Sequence, residues 1–346
     1  MRVTTLSFGF LPDGREVMLF QVECEKGMQI SITNYGGIIT SLKVPDRHQQ
    51  LGEITAGFDS LVDYLKPHPY FGALIGRYAG RIAYGNLSVK NGVYQLKMHD
   101  DYCHLHGGDT GFHTRLWDYE IDKKDDEIRI HLSYLSPHGE ENYPGNLTVR
   151  ATYVIQDNNS FSIEYEAVTD APTHLNLTNH AYFNLRGFRD TISDHQLQVN
   201  AYQSVELDEH MLPTGRLTDC SGTLLDFQKP VLLCDRSIPS EFELDHCFVV
   251  QNPNSDEIPA AVFYHEPTGR MMKVYTSQPG IQVYSGNFLD GSLKRNEEQQ
   301  FFKHSALCFE TQHFADSPNH PHFPSTLLDK GEVFKERTTF RFEYVE

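Results

Sequence analysis

Between its turn residues the chain is written in short runs of alternating polarity, and stretches of helical period are few. Alternation with a period of two sends successive side chains to opposite faces of an extended strand, so the pattern predicts an all-β protein. Three hairpins stand out. Residues 87–96 place Asn91-Gly92 between two alternating runs, and both residues tolerate the positive φ of a tight turn. Residues 152–167, turning at Asp157-Asn158-Asn159, and residues 260–276, turning at Pro267-Thr268-Gly269, suit longer hairpin loops. Residues 59–66 are a short helix candidate. The prolines and polar residues of 314–324 suit a long loop over the mouth of a sheet. No repeat, linker or break in composition interrupts the 346 residues, so the expected architecture is one large antiparallel β-sandwich spanning residues 1–346.

Charge narrows the partners. Acidic residues outnumber basic ones by 47 to 29, a formal charge of -18, and such a surface repels nucleic-acid phosphates and anionic lipid headgroups. A neutral small molecule fits better. No apolar run reaches the length of a signal peptide's core or of a membrane helix, and the six scattered cysteines form no CxxC pair. Both features fit a cytoplasmic protein with reduced thiols, Cys247 and Cys308 serving as small core side chains.

Chemistry concentrates in three segments. If residues 174–185 form one strand, Leu175, Leu177, Ala181 and Phe183 share a face with Asn179, and His174, Asn176, Thr178, His180, Tyr182 and Asn184 share the other. That second row contains no Lys, Asp or Glu, as expected for the lining of a cleft that meets an uncharged polar ligand such as a sugar. In residues 306–312, Glu310 interrupts an apolar strand, on the same face as Ala306, Cys308 and Gln312. A carboxylate there needs a partner, a ligand or a wet cleft, because burying it unpaired costs several kcal/mol. A structural ion pair with an arginine is the competing reading of Glu310. His104-Leu105-His106-Gly107-Gly108 puts two histidines on one face, a spacing that also suits a metal site, although the further Glu and His such a site needs are not plainly supplied nearby. Phosphate loops, nucleophile elbows and dinucleotide fingerprints are absent from the sequence.

Six segments occur in an order and spacing that resemble the galactose mutarotase (aldose 1-epimerase) family across essentially the whole chain. They are residues 76–82 (GRYAGRI), 104–108 (HLHGG), 178–185 (TNHAYFNL), 244–246 (LDH), 282–288 (QVYSGNF) and 310–313 (ETQH) with 316–320 (DSPNH). The resemblance implies a large antiparallel β-sandwich, a free hexose such as galactose or glucose as substrate, and no cofactor or metal. It implies His180 as general acid, Glu310 as general base and His106 as a second histidine in the active site. Arg81, Tyr182, Asp245 and Gln282 become sugar-binding residues, while Arg77 becomes a support for the site.

The chain departs from the family pattern twice. Many members carry Asn before the second arginine of the first motif, where this chain has Gly80; and Cys103-His104 precede Leu105 where many have Asn-x. These departures bear on substrate preference and on the support of His106 more than on reaction type. Ring opening takes a proton from the O1 hydroxyl and gives one to the ring oxygen, and each positioned group contributes about 10²- to 10⁴-fold. Two such groups accelerate anomer exchange unaided. A hexose-phosphate epimerase would need extra cations, a retaining glycosidase would need Asp245 and Glu310 about 5 Å apart, and a sugar-binding module would need neither acid nor base.

Overall fold

In the computed structural model, which describes residues 1–90, 92–234 and 243–346, antiparallel strands dominate. Among the described residues α-helix is confined to Leu61–Tyr64, within the expected segment, where the Ser60 side chain accepts from the Asp63 N–H as N-cap. Two expected hairpins form as drawn: Leu147–Gln156 pairs with Ser160–Thr169, and Ala261–Tyr264 pairs with Arg270–Thr276. The third joins Asn86–Val89 to Gly92–Gln95, although its turn residue Asn91 lies outside the described residues.

Three sheets carry most of the strands. One has nine strands and runs from Asp118–Lys123 through Phe334–Tyr344 to Val231–Leu232. Another has six, ordered Tyr182–Phe183, Leu307–Gln312, Gly280–Tyr284, Asp245–Val249, Gln203–Leu207 and Pro213–Asp219. The N-terminal residues make a five-stranded sheet ending on Leu51–Glu53. The nine- and six-stranded sheets meet face to face through aromatic side chains, with Phe183 against Phe340 at 5.5 Å and Phe263 against Phe309 at 5.6 Å between ring centroids. Leu307, Phe309, Ile281, Val283 and Phe248 belong to this core, which also takes Phe20, Ile30 and Leu42 from the five-stranded sheet.

Strand alternation then decides where the chemistry goes. With Leu307 and Phe309 turned into the core, Cys308, Glu310 and Gln312 must point the other way. Register aligns neighbours on that same face: Cys308 lies between Tyr182 and Tyr284, Tyr284 faces Asp245, and Glu310 faces Gln282.

Residues 174–185 are not one strand. Thr173–His174, Thr178–Asn179 and Tyr182–Phe183 are two-residue pieces that pair with three different partners. The apolar half of the expectation stands, since Leu175, Leu177, Ala181 and Phe183 all enter the core. The polar row does not line a cleft as a whole. His174 bonds Thr326 and the Ser88 carbonyl, Asn176 bonds the Ala79 and His313 carbonyls, and Asn184 bonds the Asp190 and Ser305 carbonyls. The reason is local: an interrupted strand leaves neighbouring backbone groups without ladder partners, and buried side chains satisfy them. Only His180 and Tyr182 of the row reach the cavity described next.

Candidate active site

On the outward face of the six-stranded sheet lies a cavity of ≈ 140 Å³ whose walls include Arg81, His106, His180, Tyr182, Asp245, Gln282 and Glu310. All seven predicted site residues therefore meet in one place. Four come from the sheet itself: Glu310 and Gln282 are cross-strand partners, Asp245 stands one strand further on, and Tyr182 lies on the flanking strand. Of the remaining three, Arg81 opens the short strand Arg81–Ala83, and His106 and His180 sit on irregular backbone beside the sheet. His106, at φ 52, follows the short strand Cys103–Leu105, which pairs with Arg81–Ala83 and so fixes His106 and Arg81 to one support.

His180 and Glu310 are the closest acid and base. The imidazole Nε2 lies 3.6 Å from the carboxylate Oε1, and both side chains are almost wholly buried. Nδ1 of His180 faces the buried Cys308 thiol at 3.7 Å, and its ring stacks on Tyr182 at 5.0 Å. Burial pushes Glu310 up to about 8, with the negative charge of Asp245 adding to the rise and Arg81 opposing it. Burial also brings His180 down to about 4. Each group is thus held toward its neutral form.

Around this pair the polar groups are fixed. Asp245 accepts a 2.6 Å hydrogen bond from the Gln282 amide and lies 3.6 Å from the Arg81 guanidinium. His106 accepts from the Gly80 N–H at 3.2 Å through Nδ1, which leaves its proton on Nε2. Burial, reinforced by His180 and Arg81, holds His106 well below its ordinary value, so it is a neutral donor.

The other family segments explain themselves as supports. Arg77 lies outside the cavity wall and donates to the Ser136 hydroxyl and to the carbonyls of Ser136, Pro137 and Pro144. Asp316 accepts from Ala83 N–H and from Asn319, and its own N–H donates to the Arg81 carbonyl, tying the 314–324 loop to the strand that carries Arg81. That loop does border the cavity, through Ala315. The Asn287 amide holds the Leu244 carbonyl and Ser285 accepts from Leu244 N–H, steadying the entry to Asp245.

His104 does not join His106. Its ring bonds the Lys97 carbonyl and the Tyr143 hydroxyl, so the two histidines of the HLHGG segment fail to converge on a metal. Among the described residues two other groups bring ligand atoms within 4.8 Å of one another: His106 with His180 and Glu310, and Asp194 with His195 and His265. In the first, the Nε2 proton of His106 makes that nitrogen a donor where a metal needs a lone pair. In the second, Asp194 is held by Arg186 at 2.8 Å and Nε2 of His195 accepts from Leu185 N–H, a satisfied structural network. The donor sets do not fit a resident metal.

Sequence reasoning missed part of the wall. Tyr70, at φ 58, stacks on His180 and packs edge-on to His106, while Tyr284, Phe288 and Met211 supply apolar surface. Nothing in the spacing around Tyr70 announces it. Gln312 also lines the cavity, and alternation from Glu310 was enough to find it.

The family model described as aldose 1-epimerase matches residues 18–341. Galactose mutarotase of Sus scrofa is 39% identical over 345 residues, covering 98% of each chain. Aldose 1-epimerase of Escherichia coli (strain K12) is 31% identical over 338 residues, covering 96% of each. Among solved structures, the galactose 1-epimerase of Lactobacillus acidophilus superposes with a TM-score of 0.87 at 26% identity, over 100% of this chain and 99% of that one.

Proposed function

The chain belongs to the aldose 1-epimerase family, and from that premise we propose that it interconverts the α and β anomers of a free aldohexose such as galactose or glucose. The observation that carries the mechanism is the 3.6 Å contact of His180 with Glu310 inside a cavity whose remaining groups are hydrogen-bonding and apolar. The two oxygens of a hemiacetal share one carbon, so an acid and a base side by side can serve both. Glu310 as carboxylate takes the O1 proton and His180 as imidazolium protonates the ring oxygen. The freed aldehyde turns about the C1 to C2 bond, and closure reverses the two roles.

The resident proton makes this possible. Between about 4 and about 8 the pair holds a single proton, and burial keeps it on the carboxyl. Moving it across to His180 gives the reactive form with no exchange with solvent. Arg81, which favours the ionised carboxyl, lowers the cost of that transfer. The neutral donor His106 and the Arg81 guanidinium stabilise negative charge developing on oxygen, while Asp245, Gln282 and Tyr182 hold the remaining hydroxyls. Among the described residues of the cavity wall a phosphorylated substrate finds only Arg81 as a permanent cation, which favours the free sugar. The reducing state expected of the cytoplasm is in keeping with six free cysteines.

Polarimetry of freshly dissolved α-D-galactose, corrected for the spontaneous rate, tests the proposal through its pH dependence. On the acid side the pair gains a second proton and loses its base; on the alkaline side it gives up its only proton and loses its acid. The expected kcat/KM profile is a plateau between apparent values near about 4 and about 8, belonging to the pair as a whole. Equilibration no faster than in buffer overturns the function. A saturable acceleration that keeps rising through the alkaline limb overturns the shared-proton mechanism.

A further inference from the structure

Buried polar side-chain atoms almost always have a hydrogen-bond partner, so one without a partner in the wall of a binding cavity is a place to look for ligand. Among the described residues, the buried side-chain atoms lacking such a partner include Gln312 Oε1, and Gln312 is the one residue of that set that lines the cavity of His180 and Glu310. The residue is 2% exposed, lies on the same strand face as Glu310 two residues away, and its amide nitrogen borders Gly80. At Gly80 a Cβ would stand 3.4 Å from Gln312 Nε2 and 3.0 Å from the Ala315 methyl, at φ +81. The corner is closed to most side chains on residue 80, and the amide that borders it belongs to Gln312.

We infer that Gln312 is a further sugar-contacting residue, its carboxamide binding one sugar hydroxyl at the corner formed by Gly80 and Ala315. The inference rests on the proposed mutarotase reading of the site. An amide suits a hydroxyl, since its oxygen accepts and its nitrogen donates. Gln312 takes no part in the proton transfers, so its contact acts on binding and leaves the chemistry alone.

The near-isosteric Gln312→Met variant separates contact from structure. A buried amide oxygen that lacks a partner in the empty protein does not stabilise it, so the melting temperature stays level or rises, whereas a structural role predicts a fall. In polarimetric assays KM for galactose rises about five- to tenfold with kcat within about twofold, the signature of lost uniform binding. The 2-, 3-, 4- and 6-deoxy galactoses then locate the contact: for one of them the variant and the wild type share the same KM. If Gln312→Met fails to fold, Gln312→Asn, with the amide withdrawn by one carbon, is measured in the same way. A folded variant with unchanged KM, or a penalty equal for every deoxy sugar, overturns the inference. Wild-type acceleration in the same assay separates this result from failure of the mutarotase reading itself.

Discussion

Replacing Glu310 with Gln lowers kcat for anomer exchange by about 10²- to 10⁴-fold and leaves the protein at least as stable as the wild type. Gln keeps the shape of the side chain and loses the proton traffic. The stability half follows from linkage. Burial raises Glu310 from its ordinary 4.5 to about 8, so with rising pH the unfolded chain ionises before the folded one, and folding loses free energy across that interval. Below it both states are protonated and nothing is lost. The Gln variant has no such term, so its advantage in melting temperature is absent at the acid end, grows through the interval and levels off above about 8. Polarimetry combined with thermal denaturation at acid and alkaline pH measures both halves. A variant with full activity removes Glu310 from the mechanism.

Arg77→Met has the largest expected effect on the fold, a loss of at least about 3 kcal/mol. Arg77 is 2% exposed, and burial lowers its pKa to about 10. It is the common donor for three carbonyls and a hydroxyl on the segment from Ser136 to Pro144. Methionine fills part of the volume and leaves those acceptors without a partner in a region water does not reach. Chemical denaturation reads the loss. A midpoint unchanged from wild type means that the carbonyls find other donors and that Arg77 is no keystone.

The sequence was most legible where a single period ran unbroken. The 147–169 and 261–276 hairpins and the two faces of 307–312 appear as their patterns predict, because a strand paired on both edges has no local choice but to alternate. Legibility failed at residues 174–185. Their alternation was real on the apolar side, but the segment breaks into pieces with three different pairing partners and half of the polar side, His174, Asn176 and Asn184, goes to backbone repair, and no feature of the local sequence encodes which loops will need it. His104 misled for a related reason. Its equivalence to His106 holds only if the backbone stays extended, and His106 adopts φ 52. Tyr70 was invisible, since its place against His180 is set by contacts far along the chain. Within the site, charge and residue type nominated Glu310 and His180, but their contact depends on sheet register that spans 130 residues.

A crystal structure of the Glu310→Gln variant with galactose bound is the most direct measurement. The account predicts one hexose in the cavity, with the residue 310 side chain at O1 and His180 Nε2 at the ring oxygen, both within about 2.6–3.2 Å. A sugar seated with its anomeric carbon away from these two side chains, or in another cleft altogether, contradicts it.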